Sequence, residues 1–316
     1  MGLEWLGKPY YSLDAYCKAA FGEKLYKIAL DAGLTCPNRD GTLGSSGCIF
    51  CSNGGSGDFA RHLLSERSFH DAWISGKRAL SGKSTGQRFI AYFQAFTNTY
   101  GPLPYLERIY RLALSEPDCA GISIATRPDC LPREVMELLK RLRVEYSPKF
   151  IWIELGLQTA CAQTAELIGR GYPLSVFEEA MGRLREASFP VILHLILGLP
   201  GETVEHMLET VSYVNGLRPF GVKLQLLHVL SGTELGRLYL SDPESYSPFP
   251  TLESYLDALI FCMERLCPDI VIHRLTGDAP RSLLLSPVWS ANKRNVLNTL
   301  HKQMKERSSY QGKYYE

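Results

Sequence analysis

The sequence has almost no net charge. Lys and Arg total 34 against 33 Asp and Glu, a formal +1 over 316 residues. A whole-surface electrostatic grip on nucleic acid is therefore excluded, and any polyanion site must be a local patch. Long apolar runs are also missing. The most apolar stretch, Val191 to Leu199, is far too short to cross a bilayer and is interrupted by His194. Met1 to Tyr10 lacks a basic stretch followed by an apolar one, so no secretory signal is read there. These absences predict no membrane partner and a cytoplasmic location. No internal repeat beyond strand–helix alternation and no low-complexity tract is visible. What is present is an ordinary apolar content of 45%, ample for a core, and nine cysteines. In a chain without a signal those cysteines suit a reducing compartment, where disulfides are disfavoured.

Three of the cysteines lie in one glycine-rich stretch, Cys36-Pro-Asn-Arg-Asp-Gly-Thr-Leu-Gly-Ser-Ser-Gly-Cys48-Ile-Phe-Cys51. Eleven residues separate the first from the second and two separate the second from the third. The close pair can aim both sulfurs at one centre, and Gly41, Gly44 and Gly47 permit turns that fold Cys36 back toward it. Three converging thiolates suit an iron–sulfur cluster with one metal position left for a ligand. A structural zinc site would need a fourth ligand, for which His62 is the nearest downstream candidate. Unligated thiols and a disulfide complete the alternatives. Cys17, Cys119, Cys130, Cys161, Cys262 and Cys267 show no cluster spacing and read as core or surface thiols.

Around this stretch the pattern alternates. Strands are expected at 24–30, 88–96, 120–126, 150–157, 191–197 and 221–229. Helices are expected at 68–80, 103–114, 132–142, 162–168, 175–187 and 203–215. Ser175 and Glu178 read as a capping box. Six βα units in roughly 210 residues are fewer than the eight of a closed barrel. The predicted fold is α/β: an incomplete (β/α)6 TIM-like barrel with an N-terminal cap at 1–25, a barrel at 26–235 and a C-terminal α/β extension at 236–316. In the extension a loop is expected over 241–250, a helix over 252–266, a strand over 270–275 and a helix over 290–305. The last 25 residues carry six basic residues against two acidic ones, which suits a solvated helix end or a polyanion contact.

The Cys-x-x-Cys pair with Phe50 before the last cysteine resembles the radical S-adenosylmethionine (SAM) enzymes. The long first gap and the Cys-Pro-Asn-Arg-Asp-Gly start are similar to the YhcC/YtqA-like branch. That branch is related to the Elongator catalytic subunit and to coproporphyrinogen dehydrogenase-type enzymes. The resemblance runs from about Tyr26 to about Thr233. It implies that Cys36, Cys48 and Cys51 hold a [4Fe–4S] cluster whose free iron chelates SAM, and that SAM cleavage yields a 5′-deoxyadenosyl radical. An electron donor such as a flavodoxin or ferredoxin is then required.

Functional groups of parallel α/β folds gather at the C-terminal ends of strands. Candidates for SAM are therefore Phe50, Gln94, Thr97, Thr126, Gln158, Arg170, His194 and Gly198. Gln158 and Arg170 match a Gln and an Arg that contact the cofactor in the coproporphyrinogen-type branch. Gly198 opens Gly-Leu-Pro-Gly-Glu-Thr, which looks like a family segment against the adenine. Gln94-Ala-Phe stands where much of the superfamily has Gly-Gly, a departure. Arg127 suits a carboxylate or a structural pair to Asp129. Glu154 suits a salt bridge or a ligand contact, and His194 a ligand contact or a satisfied core position. Lys223, Gln225 and His228 alternate along the sixth strand. Arg274, Asp278 and Arg281 read as a substrate-side segment able to hold phosphate or carboxylate. Some members of the branch are linked to wobble-uridine modification of tRNA, at the aminomethyl group on carbon 5, so tRNA is the expected substrate. A small metabolite or porphyrin-like substrate is one alternative, and a non-catalytic zinc-stabilised binding module is another.

Overall fold

The computed structural model describes all residues except 1–4, 56, 64–65, 84–85 and 316, together with the side chains of 66–68. In chain order the strands are β1 (Tyr26–Asp31), β2 (Arg61–His62), β3 (Phe89–Phe93), β4 (Cys119–Thr126), β5 (Phe150–Gln158), β6 (Val191–Leu197), β7 (Gly221–Leu226), β8 (Val229–Leu230), β9 (Val271–Arg274) and β10 (Leu284–Ser286). The helices are α1 (Leu13–Phe21), α2 (Glu66–Arg78), α3 (Leu103–Ser115), α4 (Arg133–Glu145), α5 (Ala162–Leu167), α6 (Leu174–Glu186), α7 (Val204–Leu217), α8 (Glu234–Ser241), α9 (Pro243–Tyr246), α10 (Leu252–Arg265) and α11 (Lys293–Glu306).

Eight strands form one parallel sheet in the order β2-β1-β3-β4-β5-β6-β7-β9. The six predicted barrel strands are its centre, and the outermost strands β2 and β9 do not pair with each other. The result is the expected incomplete α/β barrel. Every position of β3 and β4 is buried, as strands covered on both faces require. The outer helices pack onto the sheet through Leu106, Leu139, Phe177 and Val211.

Alternate side chains of each strand point into the barrel and form layers. Ile90, Trp152 and Ile192 fill the end where strands begin, and Tyr16 and Phe21 of α1 pack over them. This apolar plug closes one end of the barrel. The next layer, two residues further along each strand, is polar: Tyr92, Glu154 and His194, joined by Lys27, Ser123 and Lys223. Above it lies the open mouth. No helix among the described residues is long and apolar enough to cross a membrane.

Three local expectations change. The helix expected from Ser175 starts at Leu174 behind Pro173, with no side-chain cap bond. Proline presets the helical entry one residue earlier and moves Ser175 inside the first turn. The loop expected over 241–250 contains the short helix α9, capped by Asp242 Oδ1 accepting from Ser245 N at 3.2 Å. The strand expected at 270–275 forms β9 and joins the barrel sheet beside β7, with Lys223 opposite Arg274.

Candidate functional site

The cysteine loop leaves β1 and turns back on itself. Gly41 and Gly47 adopt φ of +91° and +78°, a region closed to most residues, whereas Gly44 does not. The coil is held by Gly47 N donating to Asn38 O at 2.7 Å and Cys51 N to Cys48 O at 2.9 Å. Ile49 N donates to Ile168 O at 3.1 Å and ties the loop to the end of α5.

Two side chains in the loop act as internal braces. Asn38 is 5% exposed, and its Nδ2 donates to Gly169 O at 2.9 Å and Arg170 O at 3.2 Å, with Cys48 Sγ at 3.6 Å. Arg39 Nη2 donates to Cys51 O at 2.8 Å and Ser52 O at 2.6 Å, and its guanidinium lies 5.4 Å from the Phe96 ring centre. Neither residue was singled out from the sequence. The available signal was the Gly-Arg-Gly turn at 169–171. A side chain at Gly171, where φ is +80°, would meet Asn38 Oδ1 at 2.5 Å.

Cys36, Cys48 and Cys51 line one cavity at the barrel mouth. Among the described residues no group of three or more His, Cys, Asp and Glu side chains is arranged around a single metal ion. His62 is on β2, where its Nδ1 is 2.8 Å from Asp31 Oδ2 and its side chain is 78% exposed. It is not beside the cysteines as a zinc ligand would be. Zinc at about 2.3 Å from each sulfur draws thiolates tightly together. A cubane cluster instead takes each thiolate on a different iron and keeps the sulfurs apart. Three cysteines around one cavity, with His62 turned to Asp31, suit a cluster that keeps one iron free rather than a closed four-ligand zinc site. Burial pushes the Cys48 thiol up to about 12, with neighbouring Cys51 adding to the shift. Burial also raises Cys51, against the pull of Arg39. Binding of a metal there releases the thiol protons.

The rest of the cavity wall comes from strand ends. Phe50, Gln94, Thr97, Thr126, Gln158, Arg170 and His194, all expected there, line it. Glu154, weighed as a salt-bridge or ligand residue, lines it too, as do Tyr92 and Tyr172, neither of them foreseen. Phe96 and Gln158 adopt positive φ, +58° and +60°. Such strain in residues other than glycine gathers at functional sites. Gln158 is further shaped by Gly156, where a side chain would meet Gln158 Nε2 at 2.4 Å, and by Tyr172 Oη at 3.2 Å from Gln158 Oε1.

Several residues are more committed to the fold than the sequence suggested. Arg170 is 3% exposed, and its guanidinium donates to Leu157 O, Thr159 O and Tyr172 O at 3.0, 2.8 and 3.1 Å. Arg127 makes a fork to Asp129 at 2.9 and 2.7 Å and also donates to Arg170 O. Gly198 does not line the cavity. At φ +84° it packs where a side chain would meet Phe249 at 2.8 Å and Pro248 at 2.9 Å. Glu154 is both a salt-bridge partner, to Lys27 and Lys223, and part of the cavity wall. His194 is paired with it. Arg274 and Asp278 line a neighbouring cavity, whereas Arg281 is exposed and donates to Ala291 O at 3.4 Å.

Residues 36–214 match the Radical SAM superfamily, and residues 219–306 match the Radical_SAM C-terminal domain. The chain is 40% identical over 311 residues to the uncharacterised protein YtqA of Bacillus subtilis, covering 98% of this chain and 94% of that protein. It is 32% identical over 296 residues to the protein YhcC of Escherichia coli, covering 90% and 89%. Among solved structures, the archaeal Methanocaldococcus infernus Elp3 superposes with a TM-score of 0.66 at 16% identity. That match covers 91% of this chain and 64% of the other, and it speaks for the fold.

Proposed function

The chain belongs to the radical SAM superfamily, and from that premise we propose that it is an enzyme acting on the wobble uridine of tRNA, at the aminomethyl-type substituent on carbon 5. Cys36, Cys48 and Cys51 would hold three irons of a [4Fe–4S] cluster and leave the fourth to the amino and carboxylate groups of SAM. Bound there, the pair would supply reductive cleavage of SAM and hydrogen abstraction from the substrate.

The chain's own residues then bind, orient and shield. Asn38 and Arg39 keep the thiols at the rim of one cavity. Gln94, Thr97, Thr126, Gln158 and His194 offer amide, hydroxyl and imidazole groups to a polar cofactor across that cavity. Phe50 covers the cysteine side, where exposure to water would alter a cluster's potential. Arg170 positions the strand end that carries Gln158. The observation that carries the reading is that all three loop cysteines, the ends of three parallel strands and His194 of a fourth share one cavity.

The tRNA substrate rests on the resemblance to the Elongator-related branch. The C-terminal helix α11 supports it with exposed Arg294, Lys302 and Lys305, an RNA-backbone contact of the kind single strands and loops receive. A flavodoxin or ferredoxin of a reducing cytoplasm would supply the electron.

The test is anaerobic reconstitution with iron and sulfide, reduction with SAM and assay of 5′-deoxyadenosine, beside a Cys48→Ala control. A brown protein that cleaves SAM only with Cys48 intact supports the reaction class, and a colourless protein releasing no 5′-deoxyadenosine refutes it. Binding of tRNA that weakens with salt, and weakens further in an Arg294→Gln/Lys305→Gln variant, supports the substrate. Salt-independent or absent binding removes it.

A further inference from the structure

A second cavity opens beside the first and shares Phe50 and Cys51 with it. Its far wall is Gln225 and His228, at and just beyond the end of β7, with Arg274 and Asp278, at and just beyond the end of β9. A molecule in this space would lie directly against the cysteine loop. His228 fits the wall closely. Its Nε2 is 3.0 Å from Ser290 Oγ, and a side chain at Gly277 would collide with its ring at 2.6 Å.

The hydrogen-bonding capacity of this wall is not fully spent. Lys293 grips both oxygens of Asp278, at 2.7 and 2.8 Å. That leaves Arg274 a loose pair with the same carboxylate at 3.6 Å. Among the described residues the Arg274 guanidinium makes no hydrogen bond, although it carries five donors and its side chain is only 31% exposed. Lys223, opposite Arg274 in the sheet, shares the single carboxylate of Glu154 with Lys27. Among the described residues Lys27 and Lys223 pair with Glu154, and Arg274 and Lys293 share Asp278. Asp58, also in the cavity wall, is held by Ser52 Oγ at 3.0 and 3.2 Å. The histidines add no charge: burial first, then nearby cations, holds His194 down to about 4 and His273 well below its ordinary value, and burial likewise takes His228 to about 4. With its N–H donors unspent at the cavity wall, Arg274 can take a further oxyanion from the cavity.

We propose that Arg274 is the receptor for a compact oxyanion of the substrate, carboxylate or phosphate, bound in the cavity between the β7–β9 mouth and Cys51. The guanidinium matches either group through paired N–H donors. Gln225 lies along the same wall with an amide able to donate, and Lys223 stands opposite Arg274 in the sheet. Calling the bound molecule a substrate rests on the radical SAM reading; the anion site itself rests on geometry and charge.

The test uses the cluster-loaded enzyme with SAM bound. Acetate and inorganic phosphate are titrated separately by anaerobic calorimetry into the wild type, R274Q and R274K. Saturable binding of one anion per chain is expected. R274Q should weaken it roughly tenfold to a hundredfold, the loss of charged hydrogen bonds. R274K, which keeps the charge but loses the fork, should fall between and serves as the test if R274Q does not fold. A preference for acetate assigns a carboxylate to the substrate, and a preference for phosphate assigns a phosphate. A wild type that binds neither, or variants that bind as tightly as wild type, would overturn the proposal. Anion binding in an enzyme that releases no 5′-deoxyadenosine keeps the site and removes the radical reading; release without anion binding does the reverse.

Discussion

Replacing Glu154 by Gln removes the one carboxylate on which the interior layer converges. Glu154 is 0% exposed and meets Lys27, Lys223, Ser123 and His194 at once. Burial opposes its charge, yet Lys223 and Lys27, together with His194, hold the carboxyl well below the usual range. Gln keeps the volume and a hydrogen-bonding oxygen but leaves two enclosed ammonium groups without a counter-ion. Removing one partner of a buried ion pair costs about 3–5 kcal/mol. Aromatic faces soften the loss. Lys223 Nζ is 4.3 Å from the Tyr92 ring centre and Lys27 Nζ 4.7 Å, and Lys223 also donates to Tyr92 Oη at 2.8 Å. Cation–π contacts of this kind are worth about 1 kcal/mol each. The expected destabilisation is therefore about 3 kcal/mol, the lower end of the range. Urea unfolding of the wild type, E154Q, K223M and E154Q/K223M measures it. The double variant leaves one lysine rather than two and should recover at least about 1 kcal/mol relative to the sum of the singles. A cost for E154Q below about 1 kcal/mol, or strict additivity, would refute the claim that the layer is organised by this carboxylate.

Three further outcomes follow from the same geometry. Gly171→Ala places a methyl against Asn38 Oδ1 at φ +80° and should cost about 1–2 kcal/mol. Because Asn38 braces Cys48, iron bound per chain should fall as well; unchanged iron content would separate the brace from the cysteines. Arg39→Met removes two donations to the carbonyls of Cys51 and Ser52 and should cost about 2 kcal/mol, read by chemical unfolding beside cluster content. For pH, burial and then Lys223 hold His194 down to about 4 against an ordinary 6.5. Below the unfolded value the denatured chain binds a proton that the native chain refuses. Stability should therefore fall by about 3 kcal/mol from pH 7 to pH 4 on account of this group. A flat urea midpoint over that window, or an unchanged slope in His194→Gln, contradicts it.

Much of the fold was legible because each barrel strand is a short apolar run followed by an amphipathic helix. That alternation specifies parallel pairing and a right-handed path with few alternatives. The cysteine loop was legible because thiol spacing is chemistry written locally. Cap chemistry was less secure. Ser175 and Glu178 have the pattern of a capping box, but Pro173 starts the helix before that box can form. Gly198 has the motif of a cofactor contact, yet its freedom is used for packing against Phe249.

Two statements therefore belong to the sequence alone: the alternation of six apolar strands with helices, and which three cysteines share a loop. Which interior residues meet was decided by the tertiary structure. Glu154 joins Lys27 from 127 positions earlier. Arg170 braces the strand end at Leu157 and Thr159. Arg274 reaches the cysteine loop's second cavity because β9 adds to the sheet beside β7. Periodicity tells a side chain its face but not its neighbour. The neighbour depends on strand order and register, which are settled by packing over the whole chain, and a register shifted by one residue would exchange the faces.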